Sequence, residues 1–389
     1  MEVFMANYSK CAMSIKGSPI RVMMVKAEEM GDVISLSPGQ PDFIPEPKVI
    51  ETTQKMVSQS SRYAPGAGLD SLRNTYINYL NKEIGSDYKK ENTMVTVGGM
   101  SAIHLTLCSV LDPGDEVLIY EPYFANYEGM VQMFHAVPVK IKAQSSTGFE
   151  ITAEAIEKVL TPKTKLLLLN SPCNPTGRIV PKKELEKISK LAIMHDFFVL
   201  SDEVYRHILY DGVKFESIAT LPGMKERTMV VDSCSKSSAM AGFRVGFLTG
   251  PEDFIKIATK TIENVYSCAN TLAQMAAEVS LREGAAYREV MRKEYEKRRN
   301  YLYDRIEKIP EFSCKKPEGA FYFFINVEKT GLTGDEFANR LLEEKKVAIV
   351  PGSSFGTSGI NYVRISYATS MENLKEAFDR IEDFVKSLH

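Results

Sequence analysis

The sequence lacks the features that mark several common classes of protein. Its 48 Lys and Arg residues nearly balance its 50 Asp and Glu residues, so the net charge is −2 and there is no basic excess for general nucleic-acid binding. No apolar run approaches the roughly 18 residues of a membrane-spanning helix, and MEVFMANYSK at the N-terminus lacks the basic-then-apolar order of a signal peptide. The six cysteines are scattered without a C-x-x-C pair, which predicts reduced thiols in a cytoplasmic protein.

Glycine-rich nucleotide-binding motifs and metal-binding motifs are also missing. The sequence has no G-x-x-x-x-G-K-[ST] P-loop, and no G-x-G-x-x-G opens a helix after a predicted strand. Its five histidines have no metal-ligand spacing, and the scattered cysteines form no zinc motif. These absences argue against a P-loop ATPase, and we predict no metal site.

What the chain does contain is an alternation of short apolar runs with helical patterns. Between residues 94 and 248 the apolar runs are MVTV, EVLIY, VPVKI, LLLLN, FFVLSDE, TMVVDS and VGFL. Amphipathic stretches such as 100–111, 153–160 and 182–195 lie between them. Such alternation predicts βαβ units in an α/β fold, with a mostly parallel sheet covered by helices on both faces. We assign this pattern to a large cofactor-binding domain over 45–285.

The C-terminal part of the chain has a different pattern. A long charged helix is predicted at about 284–308, and the runs AFYFFINV, VAIVPG and YVRISYA then alternate with helical patterns near 333–345 and at the C-terminus. This order predicts a smaller α+β domain built from 286–389, with the N-terminal segment 1–44 packed against it. At about 100–200 residues per domain, two domains suit the length of 389 residues.

Polar groups follow four of the predicted strands, at the edge where open parallel sheets bind their ligands. Gly98, Gly99 and Met100 follow MVTV at a helix N-terminus, where free backbone N–H groups attract anions. The groups after the other three strands are Asn174, then Asp202 with Tyr205, then Ser233 and Lys236 with Arg244 eight residues further on. Each group alone is more often structural, so the prediction of a site depends on their convergence.

One chemistry uses all of these groups. A lysine amine forms a Schiff base with the aldehyde of pyridoxal phosphate, and a carboxylate keeps the ring nitrogen protonated so that the ring accepts electrons. Lys236 and Asp202 suit these two roles. The phosphate needs hydroxyl donors and a fixed cation, and Ser233 and Arg244 suit that purpose because arginine offers a two-pronged fork.

In this order the residues resemble the class I/II aminotransferases of the fold type I pyridoxal phosphate enzymes, nearest the bacterial and archaeal aspartate or aromatic aminotransferase branch. The motifs that carry the resemblance are SLSPGQPDF (35–43), YAPGAGLDSLR (63–73), NSPCNPTG (170–177), SDEVY (201–205), S-x-S-K (233–236) with Arg244, and VRISYA (363–368). The resemblance implies ping-pong transfer of an amino group from an L-amino acid to a 2-oxo acid, with 2-oxoglutarate as the expected acceptor.

The resemblance also implies a role for each residue around the cofactor ring. It makes Lys236 the lysine that carries the cofactor and moves the substrate proton. Asp202 pairs with the pyridine N–H, and Tyr205 and Asn174 bind the phenolic oxygen. Phe124, in EPYFANY, stacks on the ring.

Further implied roles concern the phosphate, the substrate and a second subunit. The residues implied for the phosphate are Gly99, Met100, Ser233 and Arg244. Arg364 is implied to bind the substrate α-carboxylate, with help from Asn174 and the backbone of Gly39. Tyr63 is implied to reach the phosphate of a neighbouring subunit, which predicts a homodimer.

The amino donor stays open at this point. A dicarboxylate needs a second cation, but Met100 stands where the bacterial aspartate-type branch often has a lysine. The segment YSCANTLAQ (266–274) also lacks the arginine that the classical aspartate branch supplies near there. Met100 and Phe124 suit an apolar or aromatic side chain, whereas Arg21 offers a cation from elsewhere. Aspartate and aromatic or neutral donors are therefore both kept.

Two rival functions share part of this pattern. A C–S β-lyase acting on cystathionine-like substrates would have the same fold and lysine but would release ammonia and pyruvate. A non-catalytic pyridoxal-phosphate-sensing regulator would need a DNA-binding extension, for which we expect no room ahead of the motif that begins at Ser35.

Overall fold

The structure is a computed structural model that describes residues 8–15 and 17–389. The strands are β1 (Ile34–Ser35), β2 (Thr93–Thr96), β3 (Glu116–Glu121), β4 (Val137–Lys142), β5 (Thr164–Asn170), β6 (Phe198–Asp202), β7 (Thr228–Ser233), β8 (Gly246–Thr249), β9 (Tyr322–Asn326), β10 (Val347–Ala348), β11 (Val350–Pro351) and β12 (Tyr362–Ser366). The helices are α1 (Lys10–Ser14), α2 (Pro19–Met30), α3 (Pro47–Met56), α4 (Asp70–Ile84), α5 (Gly98–Val110), α6 (Tyr127–Gln132), α7 (Ala153–Glu157), α8 (Lys182–Met194), α9 (Cys234–Ser237), α10 (Glu252–Val265), α11 (Thr271–Glu283), α12 (Ala285–Ile306), α13 (Gly334–Lys345) and α14 (Met371–Ser387).

The main sheet has seven strands in the order β2-β8-β7-β6-β5-β3-β4. Strand β8 runs antiparallel to both of its neighbours, and the remaining pairs are parallel. The prediction of an α/β fold with a mostly parallel sheet is therefore confirmed. Because only β8 is reversed, the carboxyl ends of β2, β3, β5, β6 and β7 share one edge of the sheet, and β8 begins at that same edge.

Both faces of this sheet are buried, as its apolar strands require. In β5, Leu166 and Leu168 face a core shared with α5 and α10, whereas Leu167 and Leu169 face a core shared with α8. All four leucines are at most 2% exposed. Full burial of such a side chain is worth about 1.5–3 kcal/mol, so this strand holds both helical layers on the sheet.

A second, smaller set of strands forms from the C-terminal part of the chain. Strands β11, β12 and β9 make an antiparallel sheet, and β1 pairs in parallel with β10. Helix α14 buries its predicted apolar face of Leu374, Phe378, Ile381 and Val385. The N-terminal segment thus contacts this region through β1, while the division into domains at residues 45 and 285 stays a prediction.

Two local predictions differ from the structure. The run VAIVPG forms two short strands, because Val347–Ala348 pairs with β1 while Val350–Pro351 pairs with β12. The helix predicted over 153–160 ends at Glu157. Pro162 has no backbone N–H to donate to the carbonyl of Lys158, and its ring would clash with that carbonyl, so the helix cannot continue through this position.

None of the helices within residues 8–15 and 17–389 combines the length and the hydropathy needed to cross a bilayer.

Candidate active site

A cavity of about 450 Å³ lies at the sheet edge where β2, β3, β5, β6 and β7 end. The sequence-predicted residues that line it are Gly39, Gly99, Met100, Phe124, Asn174, Asp202, Tyr205, Ser233, Lys236, Arg244 and Arg364. One predicted residue, Tyr63, does not line the cavity and is 90% exposed on the surface of the chain. The fold therefore brings together strand ends and segments that lie more than 300 residues apart in the sequence.

Lys236 projects into this cavity from α9, the short helix that follows β7. The helix is capped by Ser233, whose side chain accepts a hydrogen bond from the Ser235 amide. The Lys236 ammonium donates a hydrogen bond to the carbonyl of Gly39 and lies 5.6 Å from the centroid of the Tyr205 ring. Burial, assisted by the positive charge of Arg364, lowers the pKa of Lys236 to about 8. A lysine with a lowered pKa exposes more neutral amine, which is the nucleophilic and basic form.

Asp202 ends β6 on the next strand of the sheet and is almost fully buried. The Tyr127 hydroxyl donates to Asp202 Oδ2 at 2.5 Å, and the Val204 amide donates to Oδ1 at 3.3 Å. Burial raises the pKa of this carboxyl to about 6 despite both hydrogen bonds. No cation in the described part of the chain forms a direct ion pair with Asp202, so a ligand that presents a positive N–H group would find a buried acceptor there.

The end of the cavity near α5 is built to hold an anion. Helix α5 begins at Gly98, and no side chain caps its first backbone N–H groups. Gly98 has a φ of +75°, and a Cβ atom there would lie 2.5 Å from the guanidinium of Arg244, so the position requires glycine. Arg244 Nη1 donates to the carbonyl of Ala241 at 2.9 Å, which fixes the fork beside the helix N-terminus. Helix N–H groups, a guanidinium and the Ser233 hydroxyl therefore meet in one place.

Arg364 reaches the cavity from β12 and is 1% exposed. Its Nη1 donates to Asn174 Oδ1 at 3.1 Å, and its Nη2 donates to the carbonyl of Ser37 at 2.5 Å. The guanidinium carbon also lies 4.5 Å from the ring centroid of Tyr322. Its Nε is buried and makes no hydrogen bond within the described residues. A buried guanidinium with an open donor is suited to a carboxylate ligand.

Two tyrosines of the cavity are not among the residues predicted from the sequence. Tyr127 holds Asp202, and the Tyr322 hydroxyl lies 2.8 Å from the Tyr205 hydroxyl. A Cβ atom at Gly39 would lie 2.5 Å from the Tyr322 hydroxyl, which explains why glycine stands there. Tyr127 could have been found from its place in EPYFANY after a strand end, whereas Tyr322 begins a strand whose first four residues are all buried and carries no local signal.

The segment GSSFG at 352–356 matches the G-x-S-x-G spacing of a serine hydrolase but has the wrong structural context. Ser354 lies in a 3₁₀ turn, Gly352–Phe355, and is 9% exposed. It does not line the cavity, and it is not on the strand-to-helix turn that presents such a nucleophile.

Comparison with known proteins identifies the family. The family model for aminotransferase class I and II matches residues 31–381. The chain is 41% identical to an aspartate aminotransferase of Pyrococcus abyssi and 39% identical to aromatic-amino-acid aminotransferase 2 of Thermococcus litoralis, in each case covering 96% of both chains. The solved structure of an aspartate aminotransferase from Thermus thermophilus with maleate superposes with a TM-score of 0.93 at 34% identity, covering 97% of this chain and all of the other.

The chain therefore belongs to the class I and II aminotransferases. It is an aminotransferase, and its family has the fold type I architecture and uses pyridoxal phosphate. Its relatives' names include both aspartate and aromatic amino acids, so they leave the amino donor open.

Proposed function

We propose that the chain binds pyridoxal phosphate at the carboxyl edge of its main sheet and transfers the amino group of an L-amino acid to a 2-oxo acid in a ping-pong reaction. We take 2-oxoglutarate as the acceptor. The observation that carries the proposal is that Lys236 and Asp202 follow neighbouring parallel strands and line one cavity. The scattered, unpaired cysteines favour a cytoplasmic location.

Three groups in the cavity support the proposal that pyridoxal phosphate binds there. Each of them lacks a binding partner that the cofactor or its substrate would provide. Asp202 is a buried carboxylate without a direct cationic partner among the described residues. The N-terminus of α5 has no side-chain cap and lies beside Arg244. Arg364 has a buried Nε without a hydrogen bond in the described chain. A pyridinium nitrogen, a phosphate and a substrate carboxylate would satisfy these groups in turn.

Each residue has a defined task in this reaction. When bound, pyridoxal phosphate supplies a conjugated ring that accepts the electron pair of the substrate Cα–H bond. Lys236 Nζ would hold the cofactor through its aldehyde carbon, and its neutral amine would serve as the general base that takes the substrate Cα proton. Its lowered pKa leaves a usable fraction of neutral amine near neutral pH. Asp202 holds the proton on the ring nitrogen, and Tyr127 and the Val204 amide keep that carboxylate in place.

We assign the α-carboxylate of the substrate to Arg364 and Asn174, with the backbone of Gly39 nearby. Tyr205 and Asn174 are assigned to the cofactor's phenolic oxygen and Phe124 to stacking on its ring. The phosphate is assigned to Gly99, Met100, Ser233 and Arg244. These assignments follow the family motif and agree with the position of each residue on the cavity wall.

Replacing Arg364 with methionine should lower kcat/KM for every amino donor by about 10²–10³-fold, because removing one partner of a buried charge pair costs about 2–5 kcal/mol. Visible absorbance of the bound cofactor should persist, since Arg364 is not assigned to it. Arg380→Met, at a partly exposed ion pair with Glu376 outside the cavity lining, is the matched control. Unchanged kcat/KM in Arg364→Met would remove the assignment of the carboxylate site.

Donor specificity can be read from a panel of amino acids assayed with 2-oxoglutarate. Met100, Ile103, Phe124 and Met24 give the cavity an apolar wall, so phenylalanine and methionine should serve at least as well as aspartate. Arg21 also lines the cavity and forms no ion pair within the described residues. A strong preference for aspartate would contradict the apolar-wall inference. Pyruvate released without an acceptor would indicate the C–S β-lyase reaction instead.

A homodimer with Tyr63 contributed across the interface completes the proposal. Tyr63 is exposed on the surface of the single chain, as are the apolar side chains of Ile44, Val57 and Val265. Tyr63→Ala should weaken cofactor binding. Co-expressed Tyr63→Ala and Lys236→Ala chains should regain activity, because one of the two sites in a mixed dimer then has both residues intact.

The mixed-dimer assay is run at a cofactor concentration at which the Tyr63→Ala homodimer is largely empty. Each variant expressed alone provides the baseline. Failure to regain activity, in a sample shown to contain mixed dimers, would contradict a role for Tyr63 in the partner's site.

A further inference from the structure

A buried ion pair lies directly behind the anion-binding end of the cavity. Arg206, after β6, donates from Nη2 to Asp232 Oδ2 on β7 at 2.5 Å. The two residues are 3% and 5% exposed, and neither lines the cavity. The tasks assigned to the cavity residues do not account for this pair.

Asp232 is joined to the cavity through the peptide of Ser233. Its Oδ1 accepts a hydrogen bond from the Ser233 amide at 2.7 Å. The Ser233 hydroxyl lies 2.8 Å from the Ser235 hydroxyl, and Ser233 and Ser235 both line the cavity. The carboxylate therefore fixes the peptide at the start of α9, and its charge stands one residue behind a group assigned to the phosphate.

An uncompensated carboxylate in this position would repel an anion. The repulsion between two unit charges is stronger inside a protein than in water, because the effective dielectric constant is lower there. Arg206 is placed to cancel the charge of Asp232. Removal of one member of a buried pair leaves the other unpaired, whereas removal of both is often nearly neutral.

A second carboxyl group contacts the same arginine. Glu203 Oε2 lies 3.7 Å from Arg206 Nη1, and Glu203 Oε1 accepts hydrogen bonds from the hydroxyls of Ser201 and Ser217. Burial raises the pKa of Glu203 to about 7. The closer ion pair of Arg206 is therefore the one with Asp232, whereas Glu203 is hydrogen-bonded mainly to hydroxyl groups.

We propose that Arg206 and Asp232 are positioning residues for the anion end of the cavity. Asp232 fixes the Ser233 peptide, and Arg206 cancels the Asp232 charge so that the site accepts a doubly charged phosphate ester. This inference rests on the proposed function, because it takes the phosphate of the cofactor to occupy that end. Its consequence is that an unpaired Asp232 carboxylate would lower the preference for pyridoxal phosphate over unphosphorylated pyridoxal.

The test compares dissociation constants for pyridoxal phosphate and pyridoxal, measured by absorbance on cofactor-free protein. In Arg206→Met the affinity for pyridoxal phosphate should fall about 10–100-fold more than the affinity for pyridoxal, because only the former carries the phosphate charge. Arg206→Lys should keep most of the preference. The double variant Arg206→Met/Asp232→Asn should recover it, since no unpaired charge remains.

A structural role alone predicts a different result. The inference is overturned if Arg206→Met lowers the affinity for both ligands equally, or if the double variant does not recover the preference for pyridoxal phosphate. In either case, binding of pyridoxal phosphate by the unaltered chain would still support the proposed function. Failure of the unaltered chain to bind it would overturn both. If Arg206→Met does not fold, Asp232→Asn can be used for the same test. This variant removes only the negative charge, so it should raise the preference for pyridoxal phosphate over pyridoxal. An unchanged preference would overturn the inference.

Discussion

Lys236→Ala should abolish transamination, lowering kcat by about 10⁴-fold or more. Proton transfer by a positioned base alone is worth about 10²–10⁴-fold, and the variant also loses the amine that holds the cofactor. No other lysine of the described chain lines the cavity, and its arginines do not give up their protons. Steady-state rates with several amino donors and 2-oxoglutarate measure the loss.

Two further variants separate chemistry from charge. Lys236→Arg keeps the positive charge but should remain inactive, because a guanidinium cannot serve as the base at neutral pH. Lys256→Ala, at an exposed ion pair on α10, should retain full activity. Turnover near that of the unaltered protein in Lys236→Ala would disprove the role of this residue.

Asp202→Asn should have the second largest effect, and its effects on activity and on stability should have opposite signs. We expect kcat to fall about 10³-fold, or about 4 kcal/mol, because an amide cannot neutralise a protonated ring nitrogen. The same change removes a carboxylate whose burial is unfavourable. The cofactor-free variant should therefore be more stable than the unaltered protein at high pH.

The pH dependence of that stability follows from the pKa of Asp202, which is about 6 in the fold and about 3.9 in an unfolded chain. Well below about pH 3.9 the carboxyl is protonated in both states and costs nothing. As the pH rises toward 6, the unfolded state loses its proton first, so the fold loses up to about 3 kcal/mol.

Asp202→Asn should accordingly raise the free energy of unfolding of the cofactor-free protein by up to about 3 kcal/mol above pH 6 and by about 1 kcal/mol at pH 4.5. Thermal or urea unfolding at pH 4.5 and pH 8 would measure this difference. Asp87→Asn, whose side chain is 86% exposed, is the matched control. A variant that keeps its turnover, or that is not stabilised at pH 8, would contradict this account of Asp202.

The strand pattern was readable from the sequence because each strand of the main sheet is a short apolar run between polar turns. The run TMVVDS forms β7 at its predicted bounds, and LLLLN lies within β5. The alternation of strands and helices also predicted that the strands are parallel. The convergence of Asp202 and Lys236 at one edge of the sheet could therefore be predicted. The helices α3, α4, α10 and α11 lie outside the helical stretches predicted from the sequence.

Contacts between distant segments could not be predicted in the same way. Tyr127 meets Asp202 across 75 residues, and Tyr205 meets Tyr322 across 117. The sequence around Arg364 alternates between apolar and polar residues, a pattern that equally suits an arginine on the surface. Only the packing of β12 shows that Arg364 is buried against Asn174. Such pairings depend on how whole elements pack, for which neither periodicity nor turn residues give a signal.

Borohydride reduction of the protein saturated with pyridoxal phosphate, followed by protease digestion and mass spectrometry, tests the central claim most directly. Reduction makes the bond between cofactor and lysine permanent, so the modified residue can be identified. We predict one modified lysine per chain, at Lys236, with no such modification in Lys236→Ala. A modification at another lysine, or none at all in protein shown to bind the cofactor, would contradict the account.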